Sequence, residues 1–320
     1  METRNGEGTV PMSIIWSIGG GKGGSGKSFF AGNLGILLAK RGVRTLLIDA
    51  DLGAANLHTI IGIPHPDRSL SDFINKKAAS LEETVVPAAT PNLFLISGAL
   101  NQLDVANLAH EQKMKLMRNI GRLSYDYILL DLGAGTSFNT IDYFMISHTG
   151  IFVTTPEPTS IENIYRLIRS VYFRKIRQVV RTHDFRLLIE EARRRNVEAT
   201  VSHPDVLLQM VKELDPGKGD ILERELRTFH FKLVLNQLRR QDNPRTGELI
   251  CKIIERHLGL NISFVGNIGF DDHVHDAICR KVSFVDRYPY TQTALDLRAC
   301  CRNLLSVEDG RPLARDAVDS

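Results

Sequence analysis

Residues 18–28 read IGGGKGGSGKS, and no other stretch limits the fold of this chain so tightly. Six glycines and two lysines in eleven positions make a poor helix and a poor strand, because glycine loses the most backbone freedom in either. The stretch instead fits the phosphate-loop pattern G-x-x-x-x-G-K-[ST] at Gly21, Gly26, Lys27 and Ser28. Glycines let successive N–H groups converge on phosphate oxygens. Lys27 would reach the β- and γ-phosphates, and the Ser28 hydroxyl would bind Mg²⁺. The flanks supply the context this pattern needs. SIIWSI (13–18) is an apolar run that predicts a buried strand, and KSFFAGNLGILLAK (27–40) has apolar residues at helical spacing. A helix starting at Lys27 adds its positive end to the same anion site.

Further apolar runs at 44–50, 92–98, 125–132, 150–157, 231–237 and 262–269 alternate with helical patterns. Near-continuous apolar strands suit a parallel sheet covered on both faces. The expected fold is therefore α/β: a doubly wound, mainly parallel sheet with helices on both faces. The rhythm breaks between about 160 and 230, where the sequence predicts a helical insert over about 170–228. Within it Ile164, Ile168, Val171, Tyr172, Ile176, Val179 and Val180 fall at helical spacing with arginines between them. Such a stripe marks a helix packed on the sheet with solvated arginines, or a basic amphipathic surface helix. One domain is expected over 12–307, with a disordered leader over 1–11 and a disordered tail over 308–320.

At 320 residues the chain is long enough for a sizeable core, and its net charge of +3 makes no global case for nucleic acid. Cys251, Cys279, Cys300 and Cys301 form no C-x-x-C pair, which argues for reduced thiols in a cytoplasmic protein. No run approaches the length of a membrane span.

Lys22 is a second lysine that an ordinary phosphate loop does not need. With it, KGGSGKS resembles the deviant Walker A motif of the MinD/ParA family of dimeric ATPases, a branch of the P-loop NTPases. The resemblance continues through LLIDADLGAANLH (46–58), YDYILLDLGAG (125–135), VLNQ (234–237) and VGNIGFDD (265–272), and is nearest to the FlhG/FleN branch. It implies ATP and Mg²⁺ as ligands. Gly21, Lys22, Gly23, Gly24, Ser25, Gly26, Lys27, Ser28 and Phe29 would line the nucleotide, joined by Asn56, Gly135 and Asn236, the last reading adenine. Ser28, Asp49, Asp51 and Asp131 would form the metal shell. Lys22, Lys27 and Asp51 would carry catalysis, with Lys22 reaching the nucleotide of the partner subunit and Asp51 orienting the attacking water. Gly133 and Gly269 stand where the family commonly has proline, so a less rigid switch and a looser adenine-pocket wall are expected.

The function this implies is an ATP-hydrolysing dimeric switch that controls placement or number of a cellular structure, with flagella the first choice. The expected partners are a second copy of the chain and a regulatory or GTPase-like protein, with an anionic surface at the inner face of the cell membrane also in view. A DNA-partition ATPase of the ParA type is the alternative. An iron–sulfur carrier of the same fold is disfavoured, because it needs cysteine pairs that this chain lacks.

Overall fold

The computed structural model describes residues 13–51, 55–98, 110–182, 185, 194 and 204–306. The leader and tail expected at 1–11 and 308–320 lie outside the described residues.

The strands are β1 (Ile14–Gly20), β2 (Thr45–Asp49), β3 (Val86–Pro87), β4 (Leu93–Ile96), β5 (Tyr127–Asp131), β6 (Thr149–Thr154), β7 (His230–Leu238) and β8 (Ile262–Gly269). They form one sheet in the order β3-β4-β2-β5-β1-β6-β7-β8. Every neighbouring pair is parallel except β3 and β4. β1 sits inside the sheet, and the chain leaves it toward β2 on one side and returns to β6 on the other. Ligands bind at such a topological switch point, beyond the carboxyl ends of the strands.

Helices cover both faces, as the unbroken apolar strands require. All residues of β2, β5 and β6 are buried. Alternate strand residues feed two cores. Leu46, Ile48, Ile128 and Leu130 face one core, which α3 (Leu70–Ile74), α4 (His110–Ile120), α5 (Phe138–Phe144), α6 (Pro158–Thr182), α7 (Pro204–Leu214), α8 (Pro216–Arg227) and α9 (Thr246–Leu258) help to fill. Trp16, Ile18, Leu47 and Leu129 face the other, which is closed by α1 (Lys27–Ala39), α2 (Leu57–Ile60), α10 (His273–Arg280), α11 (Phe284–Arg287) and α12 (Gln292–Leu305). Each fully buried leucine or isoleucine contributes roughly 1.5–3 kcal/mol.

The stripe on α6 is core packing: Ile164, Ile168, Val171, Tyr172, Ile176 and Val179 are buried. α6 is continuous through position 170, and the described residues between 158 and 228 form α6, α7 and α8 with no strand. On α12, Ala294, Leu297, Leu304 and Leu305 are buried, so that helix spends its apolar side on the fold.

Candidate active site

The loop Gly21–Gly26 joins β1 to α1. Gly24 and Gly26 both have φ of 82°, in the left-handed region that favours glycine. Gly26 caps α1 without a side chain, so the first N–H groups of the helix face the loop with no intrahelical partner. A Cβ on Gly23 or Gly24 would meet nothing within 4 Å, so this side of the loop is open. Its other side is tightly backed. A Cβ on Gly21 would lie 2.5 Å from the backbone of Asn163 and Ile164, so α6 runs directly beneath the loop.

β7 braces the loop through two side chains. Asn236 Nδ2 donates to the Ser25 carbonyl at 2.9 Å, and Gln237 Nε2 donates to the Gly24 carbonyl at 2.8 Å. Gln237 reaches it from a left-handed backbone, φ 58°, where β7 and β8 lose register. Asn236 was expected from sequence at the adenine; here its amide nitrogen is committed to the loop, a role that the sequence pattern did not disclose. Phe29 turns its side chain into the core against Phe284, ring centroids 5.3 Å apart, so its backbone N–H is what it can offer an anion.

Three carboxylates gather at the strand ends. Asp49 and Asp131 are register partners on adjacent strands β2 and β5, and each is 1% exposed. Asp49 Oδ1 accepts the Asp51 N–H at 3.2 Å, and Oδ2 accepts the Leu57 N–H at 3.0 Å, which ties down the segment containing Asn56. Asp131 Oδ1 is buried without a hydrogen-bond partner. Burial pushes the Asp49 carboxyl up to about 6. Burial, then the neighbouring Asp49 charge, pushes Asp131 up to about 8, opposed by the Lys27 ammonium and the Ser28 hydroxyl. Lys27 Nζ lies 3.6 Å from Asp51 Oδ2.

The site therefore carries buried acid with too little positive charge to balance it. Among the described residues no three such groups close into a metal cage. An open arrangement is what Mg²⁺ uses, taking one or two carboxylates and completing its shell with phosphate oxygens and water. The orphaned Asp131 oxygen, the Ser28 hydroxyl and the open loop fit Mg²⁺ with a nucleotide phosphate chain.

Lys22 rests over the start of α6, its Nζ 3.4 Å from Thr159 Oγ1. A hydrogen bond from the Thr155 hydroxyl holds the Glu157 carboxyl below the usual range, and the Lys22 charge adds to it. In the loop after β5, Gly135 has φ of 88° and donates its N–H to the Gly20 carbonyl at 3.0 Å. A Cβ on Gly133 would touch Asp51 Oδ1 at 3.5 Å, so that glycine backs the Asp51 carboxylate. Gly269, where a looser adenine-pocket wall is expected, has its backbone held by two hydrogen bonds. Its N–H donates to Asp296 Oδ2 at 2.9 Å, and its carbonyl accepts from Thr293 Oγ1 at 3.0 Å. Both partners lie on α12.

Comparison with known proteins agrees with this geometry. A family model described as an AAA domain matches residues 12–183, more than half of the chain. A septum site-determining MinD sequence of Guillardia theta is 32% identical over 189 residues, 59% of this chain and 67% of that protein. The antiactivator FleN of Pseudomonas aeruginosa is 22% identical over 296 residues, 92% of this chain and 86% of FleN. The structure of MinD from Pyrococcus horikoshii, complexed with Mg-ADP, superposes with a TM-score of 0.64 at 18% identity, covering 93% of this chain and 98% of that one. Motif, fold and relatives converge: the chain belongs to the MinD/ParA family of P-loop ATPases.

Proposed function

We propose that this chain is an ATP-driven switch that dimerises on ATP and Mg²⁺, hydrolyses ATP to ADP and phosphate, and thereby sets the place or number of a cellular structure, the flagellum first. The observation that carries the reading is the opposed Asp49–Asp131 pair beside Lys27 at the mouth of the glycine loop. The likeness to the flagellum site-determining protein YlxH of Helicobacter pylori, 34% identical over 155 residues, supports the flagellar assignment.

Ser28 and the Asp49 and Asp131 carboxylates would hold Mg²⁺, which would supply positive charge against that building up on the transferred group. The residues of the chain do the rest. Loop N–H groups and the start of α1 bind the phosphates. Lys27 gives up Asp51 to reach the terminal phosphates, which frees the Asp51 carboxylate to orient water. Phosphoryl transfer needs such positioning more than a strong base. Lys22, half-exposed on the rim, supplies a cation to the second copy, and that makes turnover depend on dimerisation.

Size-exclusion chromatography of Asp51→Ala with ATP and Mg²⁺ tests the reading. A dimer that forms with ATP and not with ADP is expected. A monomer under both conditions overturns it. Repeating the run with anionic liposomes and with duplex DNA assigns the surface: retention on DNA alone would move the assignment to partition.

A further inference from the structure

α5 follows directly on the loop that carries Gly135 to the phosphate cradle. Its single carboxylate, Asp142, is 6% exposed and takes two cations from two other helices. Lys113 of α4 meets Asp142 Oδ2 at 2.5 Å, and Arg174 of α6 meets Oδ1 at 2.6 Å. Beside Arg174, Lys175 Nζ and, one turn on, Gln178 Nε2 donate to the Met145 carbonyl at the end of α5, at 3.3 and 3.5 Å. The first turns of α6 lie under Gly21 and carry Thr159, the contact of Lys22. One helix therefore touches the phosphate loop at its start and grips α5 about four turns later.

The two cations on Asp142 are not equivalent. The Lys113 side chain is 6% exposed, so its contact with Asp142 is screened from water and costly to break. The Arg174 side chain is 37% exposed and can exchange the carboxylate for water at little cost. Lys113 keeps Asp142 compensated whichever way Arg174 turns. We infer that the Arg174–Asp142 contact is a nucleotide-responsive latch, and that Asp142 and Arg174 are positioning residues which pass the state of the Gly135 loop to α6. Small shifts at an effector site become discrete when a contact can only be made or broken. The inference rests on the proposed ATP switch.

The test compares wild type, Arg174→Gln and Arg174→Lys by hydrogen exchange across α6, with ADP and with a non-hydrolysable ATP analogue, each with Mg²⁺. Steady-state ATPase assays run alongside. In wild type, exchange in α6 should differ between the two nucleotides. Arg174→Gln should erase that difference and lower kcat about fivefold or more, with KM for ATP within twofold. Arg174→Lys should restore most of both, which a merely structural role would not require. Retention of the wild-type difference in Arg174→Gln, with kcat within twofold, overturns the latch and leaves the ATP switch standing. Titration with a fluorescent ATP analogue separates the two failures: wild type that binds none removes the reading of the site, and the latch with it.

Discussion

Asn236 and Ser25 are 211 positions apart in sequence and joined by one hydrogen bond, the side-chain amide of the first donating to the carbonyl of the second at 2.9 Å. A loop with four glycines in six residues has little rigidity of its own, so this bond and its neighbour from Gln237 supply it. Asn236→Ala leaves the Ser25 carbonyl unpaired and the loop free to spread. It should weaken nucleotide binding by on the order of tenfold or more, measured by titration with a fluorescent nucleotide.

The paired carboxylates set a pH dependence. Burial pushes the Asp49 carboxyl up to about 6 and the Asp131 carboxyl up to about 8, both above the ordinary aspartate value of 3.8. The folded state therefore binds more protons than the unfolded chain above that ordinary value. Stability of the nucleotide-free protein should fall as pH rises from about 4 through about 8. Mg²⁺ with ADP takes the place of those protons and should flatten the profile. Thermal melts at stepped pH, with and without Mg-ADP, check both halves.

The two lysines should separate in kinetics. Lys27→Ala removes the ammonium that faces Asp51 and the phosphates, and should abolish nucleotide binding. Lys22→Ala should keep binding within a few fold and lower kcat by roughly 10³-fold, the scale of a charge supplied in trans. Activity near wild type in Lys22→Ala would leave dimer-completed catalysis without support.

Gly21→Ala would set a methyl group 2.5 Å from the Asn163 and Ile164 backbone. Neither helix backbone nor loop can yield cheaply there. The substitution should cost about 1–3 kcal/mol in chemical denaturation and weaken nucleotide binding as the loop lifts from α6.

Asp142→Asn and Arg174→Gln should differ sharply in stability. The first removes the buried carboxylate charge that faces Lys113 and should cost about 2 kcal/mol or more. The second removes a half-exposed partner and should cost under about 1 kcal/mol. Urea denaturation reads both, and equal losses would mean that the two cations share the carboxylate evenly.

The sequence carries the β1–loop–α1 unit clearly, because phosphate binding demands a pattern of residue types within one short window. The parallel strands are legible for a related reason: burial on both faces removes polar residues from them. The stripe on α6 shows equally well, since a packed helix must repeat every three or four residues. Contacts between distant segments do not show. Nothing near Asn236 says that its amide braces Ser25, and nothing near Asp142 announces Lys113 and Arg174 from two other helices. The two-residue strand β3 escapes for a different reason: Val86–Pro87 pairs only with β4, in antiparallel sense, and is too short for any period.

The N–H of Gly135 is already spoken for by the Gly20 carbonyl, the last residue of β1. A terminal phosphate that recruited this N–H would have to win it from the strand that launches the glycine loop. Arrival of the third phosphate is then a swap of acceptors rather than the filling of an idle donor, and its departure hands the hydrogen back, so the resting arrangement has a bond of its own to return to.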